Sequence, residues 1–135
     1  MSAESFSQDY TGDVDENLLE MVIIGAGPAG ISLAAEAILA GVPREKILVL
    51  EKEKAHSWAI RKYYPDEKLV TANYKGHEVV CHGVLCMQDM SKTEALSYLD
   101  QVIADYKIPV RYREEVRGIT EKANGYYLVK TSQEA

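Results

Sequence analysis

Two apolar runs set the frame of the chain. Leu18 to Ile24 is almost free of polar residues, and so is Ile47-Leu48-Val49-Leu50. Neither alternates, which suits strands buried on both faces of a sheet. Between them, Ala29 to Ala40 carries Ile31, Ala34, Ala35, Ile38 and Leu39 near helical spacing, with Gly41 suited to close the helix and Pro43 to stop it. Residues 18–50 therefore predict one β-α-β unit with parallel strands and a right-handed crossover.

From Glu53 to Met90 the pattern is irregular, rich in Tyr, Lys, His and short apolar pieces. A connection this long inside a compact domain is usually functional. Val70 and Val79–Val80 are the candidate starts of short strands. Order returns at Ser91-Lys92-Thr93-Glu94, a capping box. Ala95, Leu96, Leu99, Val102, Ile103 and Tyr106 then mark one apolar helix face, and Pro109 ends that helix. Val110 to Tyr112 reads as a third parallel strand. Val116 to Glu121 and Tyr126 to Thr131 read as a hairpin, with Asn124-Gly125 favouring a type I′ turn.

Length changes the picture little: 135 residues make one domain, or part of one, and 47% apolar residues suffice for a core. No apolar run approaches the roughly 18 residues of a membrane helix. The N-terminus has neither the basic n-region nor the apolar h-region of a secretory signal. With two cysteines and no such signal, reduced thiols and a cytoplasmic location are expected. Charge adds more. The net charge is −6, and Glu4, Asp9, Asp13, Asp15, Glu16 and Glu20 lie in a stretch without Lys or Arg. Those six of the 21 acidic residues leave 15, matching the 15 basic ones. The organisation expected is an acidic arm over residues 1–17 and a domain over 18–135, in which the residues after Glu20 carry no net charge. The arm reads as a solvated terminus, or as a contact for a basic partner or for the rest of a larger protein. Nothing forms the basic footprint of nucleic-acid binding.

The candidate chemistry sits in VIIGAGPAGISLAAE. Gly25, Gly27 and Gly30 have G-x-G-x-x-G spacing between a predicted strand and a predicted helix, the context a dinucleotide-binding turn requires. Gly25 permits the tight turn, Gly27 lets a pyrophosphate approach the backbone, and Gly30 lets helix and sheet pack closely. Pro28 and Ala29 enter the helix without bulk, and the helix N-terminus offers free N–H groups and partial positive charge to phosphate. Glu51 ends the second strand, 21 residues after Gly30. A carboxylate there can accept both ribose hydroxyls of an adenosine and repels a 2′-phosphate, which disfavours NADP at this site. FAD and NAD share adenosine and pyrophosphate, so the motif does not choose between them. The fold class is α/β: a Rossmann-like parallel sheet flanked by helices, with a small antiparallel hairpin or meander.

VIIGAGPAGISLAAE followed by ILVLEK resembles the start of flavoproteins with two dinucleotide-binding domains: thioredoxin-reductase-like enzymes, flavin-containing monooxygenases and the bacillithiol-disulfide-reductase type. YYPDEKLVTANYKG, SKTEALSYLDQVIADYKI and the later REEV are similar too, so the resemblance covers about residues 20–132. It implies that the first glycine motif holds FAD. Gly25, Gly27, Ala29 and Gly30, with Pro28 in the same turn, would face the FAD pyrophosphate. Glu51 would bind the adenosine ribose, with Lys52 beside it. Val116 would contact the adenine through its backbone. Ser57 and Trp58 would lie where the loop after the second strand passes the cofactor, Trp58 having packing as its other reading. The family's later parts, including the second glycine motif for NADPH or NADH, are absent from this sequence. The chain thus looks like the first part of a longer enzyme: a fragment, a truncated form or one half of a split protein. Self-association or a missing C-terminal half are the partners this suggests.

Other residues offer weaker chemistry. Cys81 and Cys86 have the C-x4-C spacing of redox-active disulfides in glutathione-reductase-like flavoenzymes, but the flanks and position differ, so two buried or half-buried thiols are expected. His56, His77 and His82 match no common zinc spacing, and no metal is expected. Tyr63, Tyr64 and Tyr74 either line a flavin or substrate face or cover the sheet. No residue stands out as acid, base or nucleophile. The function expected is the FAD-binding portion of an NAD(P)H-dependent flavoprotein oxidoreductase. The alternatives are a small NAD- or ADP-binding regulatory module without catalysis, and a protein-interaction piece.

Overall fold

A computed structural model describes residues 18–70 and 80–133. The expected acidic arm, Val79, Tyr74 and His77 lie outside the described residues. Strands β1 (Met21–Ile24), β2 (Ile47–Leu50) and β3 (Val110–Arg111) form one parallel sheet in the order β1-β2-β3. Met21 pairs with Ile47, and Val49 with Val110. Helix α1 (Pro28–Leu39) is the crossover between β1 and β2. Helix α3 (Lys92–Tyr106) precedes β3 and packs beside α1. Strands β4 (Val116–Glu121) and β5 (Tyr127–Thr131) form a separate antiparallel pair. The α/β class and the parallel sheet with a small hairpin are as the sequence predicts.

Strand alternation explains the layers. Ile23, Ile47 and Val49 bury on one face with Ile31, Ala34 and Ala35 of α1 and Leu99 and Val102 of α3. On the other side, Leu18, Val22 and Ile24 share a cleft of about 570 Å³ with Ile119, Tyr127 and Val129 of the hairpin. β1 pairs with β2 alone among the described strands, and Ile24 at its end is 53% exposed.

Three elements differ from expectation. The irregular stretch after β2 contains a six-residue helix, α2 (Trp58–Tyr63). One and a half turns are too short to show a period, and Ile60 alone buries to anchor it. The hairpin turn is not type I′, which needs positive φ at both central residues. Only Gly125 has it, at 88°, while Asn124 does not. The Gly125 N–H donates to Lys122 O at 3.0 Å and the Lys122 N–H to Tyr126 O at 2.7 Å, a type I turn extended by one left-handed glycine. The Asn124 side-chain oxygen accepts from the Tyr126 N–H at 3.2 Å, which favours this geometry. Helix α3 starts with the expected capping box at Ser91 and Glu94. It stops at Tyr106, where Lys107 turns left-handed and the Ile108 N–H reaches back to Ile103 O at 3.0 Å. This closes the helix before Pro109 takes part. Val70 makes a single antiparallel bridge with Met90, and Val80 lies in no strand.

One contact sets how closely α1 can lie on β1. A Cβ on Gly30 would sit 2.1 Å from the carbonyl oxygen of Gly25 and 3.3 Å from Ile23 Cγ2. The obstacle is backbone, which cannot swing aside. Gly30→Ala is therefore expected to lower stability by about 3 kcal/mol or more. Thermal unfolding measures this, and an unchanged midpoint would refute the close packing.

Candidate functional site

The carboxyl ends of β1 and β2 form the site. Gly25 turns the chain out of β1 with φ of 101°, and its N–H donates to Leu50 O at 2.8 Å. A Cβ on Gly27 would meet nothing within 4 Å, so the backbone there faces open space. Among the described residues no side chain caps α1, and Pro28 occupies its first position. The next N–H groups, of Ala29 and Gly30, are left for an acceptor outside the helix, where the helix dipole favours an anion.

Glu51 is buried beside this turn, 7% exposed. Its Oε1 accepts from the Ala26 N–H at 2.8 Å and its Oε2 from the Glu53 N–H at 2.9 Å. Sequence reasoning offered only a ribose partner and missed this bracing role. Each carboxylate oxygen accepts one bond here and retains a second lone-pair direction.

The chain then passes over the turn. The Ser57 N–H donates to Ala26 O at 2.8 Å, and Ser57 is left-handed at φ 55°, ψ 43°. For a residue with a Cβ that conformation costs about 1–2 kcal/mol, so its surroundings must hold it. His56, 3% exposed, does so from one side: its Nδ1 lies 3.0 Å from Ser57 Oγ. At its other nitrogen, Nε2 meets Asp100 Oδ1 of α3 at 3.1 Å and Arg61 Nη2 of α2 at 3.0 Å. Arg61 Nε also donates to the His56 carbonyl, at 2.6 Å. Lys92 Nζ donates to Arg61 O and Tyr64 O, each at 2.9 Å, tying the end of α2 to α3. Burial holds the His56 pKa below its ordinary 6.5; the Asp100 hydrogen bond raises it, and the Arg61 charge lowers it further. Burial also pushes the Tyr112 hydroxyl up, with the Asp100 and Glu51 carboxylates adding to it and Arg61 opposing.

The glycine turn, Glu51 and Ser57 are thus brought together by hydrogen bonds. Trp58 follows Ser57 at the start of α2, half-buried, with Lys54 Nζ 5.7 Å from its ring centroid. Lys52 is exposed beyond Glu51. Val116, half-buried at the start of β4, reaches the site indirectly, through the Glu114 N–H that donates to Glu51 O at 3.0 Å. His56, Arg61 and Asp100 carry no motif, and only the fold reveals that they meet.

A family model described as "Pyridine nucleotide-disulphide oxidoreductase" matches residues 22–135. The chain belongs to this family. That agrees with the resemblance read from the sequence and makes the protein one of an oxidoreductase family. Its curated relatives include "Uncharacterized oxidoreductase CzcO" from Bacillus velezensis, 30% identical over 125 residues, with 87% of this chain and 33% of the relative covered. The bacillithiol disulfide reductase Bdr (YpdA) of Staphylococcus aureus shares the fold at a TM-score of 0.66 and 24% identity, over 87% of this chain and 35% of that one. The T. acidophilum thioredoxin reductase does so at 0.60 and 24%, over 87% and 32%. The chain thus spans about a third of the length of the curated relatives it matches.

Within this family member the two cysteines need a correction. Cys81 and Cys86 are joined in a disulfide, with Cα atoms 5.2 Å apart, and are not the two separate thiols expected. Cys81 is exposed and Cys86 half-buried. The reason is the curl of the loop between them. The Val84 N–H donates to the Glu36 carboxylate of α1, and the Cys86 N–H to the Tyr98 hydroxyl of α3 at 2.8 Å. Gly83 makes room, since a Cβ there would come 2.5 Å from Glu36 Oε2. Spacing in sequence does not reveal such a curl. Among the described residues, no group of three or more His, Cys, Asp or Glu could hold a metal ion, and no helix is long and apolar enough to cross a membrane.

Two measurements check these features. Because the folded chain binds a proton at His56 less readily than the unfolded chain does, stability should fall as pH drops below about 6.5. In His56→Asn the slope of unfolding free energy between about pH 5 and 6.5 should be shallower, and an equal slope would refute the assignment. Thiol titration of the unreduced protein should find no free cysteine, and two after reduction. The six-residue ring should contribute about 2 kcal/mol at most to stability.

Proposed function

We propose that the glycine turn binds the ADP part of FAD and that the chain is the FAD-binding portion of an NAD(P)H-dependent flavoprotein oxidoreductase. The observation that carries this reading is the uncapped start of α1, open at Gly27, with the braced Glu51 carboxylate beside it. The residues present fit the group. The N–H groups of Ala29 and Gly30 and the dipole of α1 take the pyrophosphate, with Gly25, Gly27 and Pro28 giving the approach. Glu51 takes the adenosine ribose through its remaining acceptor directions, with Lys52 alongside. The Val116 backbone borders the adenine, and Ser57 and Trp58 flank the cofactor where the loop crosses the turn. When bound, the flavin supplies the redox chemistry, and this chain's share is to bind and orient it. Residues 18–135 form the binding unit. The nicotinamide nucleotide and the electron acceptor engage residues beyond those of this site.

The same turn and carboxylate suit the ADP half of NAD, so calorimetric titration with FAD, NAD and NADP separates the readings. FAD is expected to bind, weakly, and NADP not at all. Gly27→Ala should weaken FAD binding by about tenfold or more while leaving the thermal midpoint unchanged, because its Cβ meets open space in the protein. Binding of NAD without FAD would favour the regulatory module. Unchanged FAD affinity in Gly27→Ala would sink the proposed site.

A further inference from the structure

Ala26 lies at the centre of the glycine turn and is fully buried. Its peptide groups are gripped from two sides. Its N–H goes to Glu51 Oε1 at 2.8 Å, and its carbonyl accepts the Ser57 N–H at 2.8 Å. The second grip depends on Ser57 staying left-handed, a conformation in which a side chain is disfavoured and a glycine is not. Four hydrogen bonds hold Ser57 there. Its N–H is on Ala26, its carbonyl accepts from Ile60 and Arg61 at 3.1 Å each, and its hydroxyl meets His56 Nδ1 at 3.0 Å. The hydroxyl contact is the one that comes from a side chain, and it belongs to a ring that is itself fixed. Nε2 of that ring lies between the Asp100 carboxylate, on α3, and the Arg61 guanidinium, on α2. In the neutral ring only one proton is shared between two nitrogens. With Nε2–H given to Asp100, Nδ1 accepts from the Ser57 hydroxyl. With Nε2 accepting from Arg61, Nδ1–H donates to it. The Ser57 hydroxyl has a partner in both forms, because it can donate or accept. Asp100, though 76% exposed, reaches this buried ring from α3 and so links that helix to the turn. Among the described residues, the charged and titratable groups around the ring are Asp100 of α3, Arg61 of α2, Glu51 at the end of β2 and, beside them after β3, Tyr112.

We propose that His56 is a positioning residue for the dinucleotide turn: through the Ser57 hydroxyl it keeps residue 57 left-handed, and with it the Ser57–Ala26 bond that fixes the turn. The ligand in this statement rests on the proposed FAD site; the mechanics rest on the hydrogen bonds alone. His56 is assigned no contact with phosphate. It acts through Ser57, whose N–H would otherwise swing away from the Ala26 carbonyl as the residue relaxes to an ordinary conformation.

Amide hydrogen exchange reads the link directly, residue by residue. The Val49 N–H, bonded to Pro109 O at 2.9 Å inside the sheet, serves as the reference. In His56→Ala, the Ser57 amide should exchange about tenfold or more faster relative to Val49, and FAD affinity should fall in parallel. His56→Asn, whose amide occupies the position of Nδ1, should restore most of both. In a Ser57→Gly background the backbone no longer needs the anchor, so adding His56→Ala should change exchange at residue 57 and FAD affinity by less than about twofold. Asp100→Ala, at an exposed position, should speed Ser57 exchange severalfold without affecting Val49 and tests the link if His56→Ala does not fold. Equal acceleration at Val49 and Ser57, or an unchanged Ser57 amide, would overturn the positioning role, as would a full His56→Ala effect in the Ser57→Gly background. If the wild-type chain binds no FAD while the exchange pattern appears as expected, the dinucleotide reading fails and the His56–Ser57 link stands.

Discussion

The mouth of the sheet depends on the Ala26 peptide and its two partners. A carboxylate from the end of β2 takes its N–H, and the chain just before α2 gives an N–H to its carbonyl. Neither bond is local: Glu51 is 25 residues away in sequence. Together they fix where β1 ends and where α1 begins, and so where the free N–H groups of α1 point. Loss of either grip would leave a buried backbone group of a fully buried residue without a partner, which the interior does not tolerate cheaply.

The same arrangement explains how a buried carboxylate is tolerated. Glu51 lies at 7% exposure, where an isolated charge would be strongly disfavoured. Two backbone N–H groups meet it, and the dipole of α1 begins close by. Glu51 is therefore a structural residue before it is a ligand for anything. His56 shows the opposite solution: a buried ring whose charged form is disfavoured and which works as a neutral pivot between Asp100 and Arg61.

The elements that carried a long, repeated pattern were legible. α1 and α3 have enough turns to show their apolar faces, and β2 is an unbroken apolar run. The glycine turn was legible because its spacing has a mechanical cause at each position. What escaped was short or non-local. α2 has six residues and no readable period. The hairpin was read correctly, but its turn type hung on one dihedral of Asn124, settled by a hydrogen bond to Tyr126. The disulfide depended on a curl made by Glu36 and Tyr98, residues on two different helices.

The sequence by itself determined the α/β order, the parallel sheet and the glycine turn between β1 and α1, because these rest on periodicity and on the stereochemistry of glycine at short range. It also marked Glu51 by its distance from the turn. Only the tertiary structure decided that Glu51 braces Ala26, that Ser57 is left-handed over the turn, and that His56 meets Asp100 and Arg61. Those facts arise from the docking of α2 and α3 against the sheet, and a hydrogen bond between residues 44 positions apart leaves no trace in the local pattern of either.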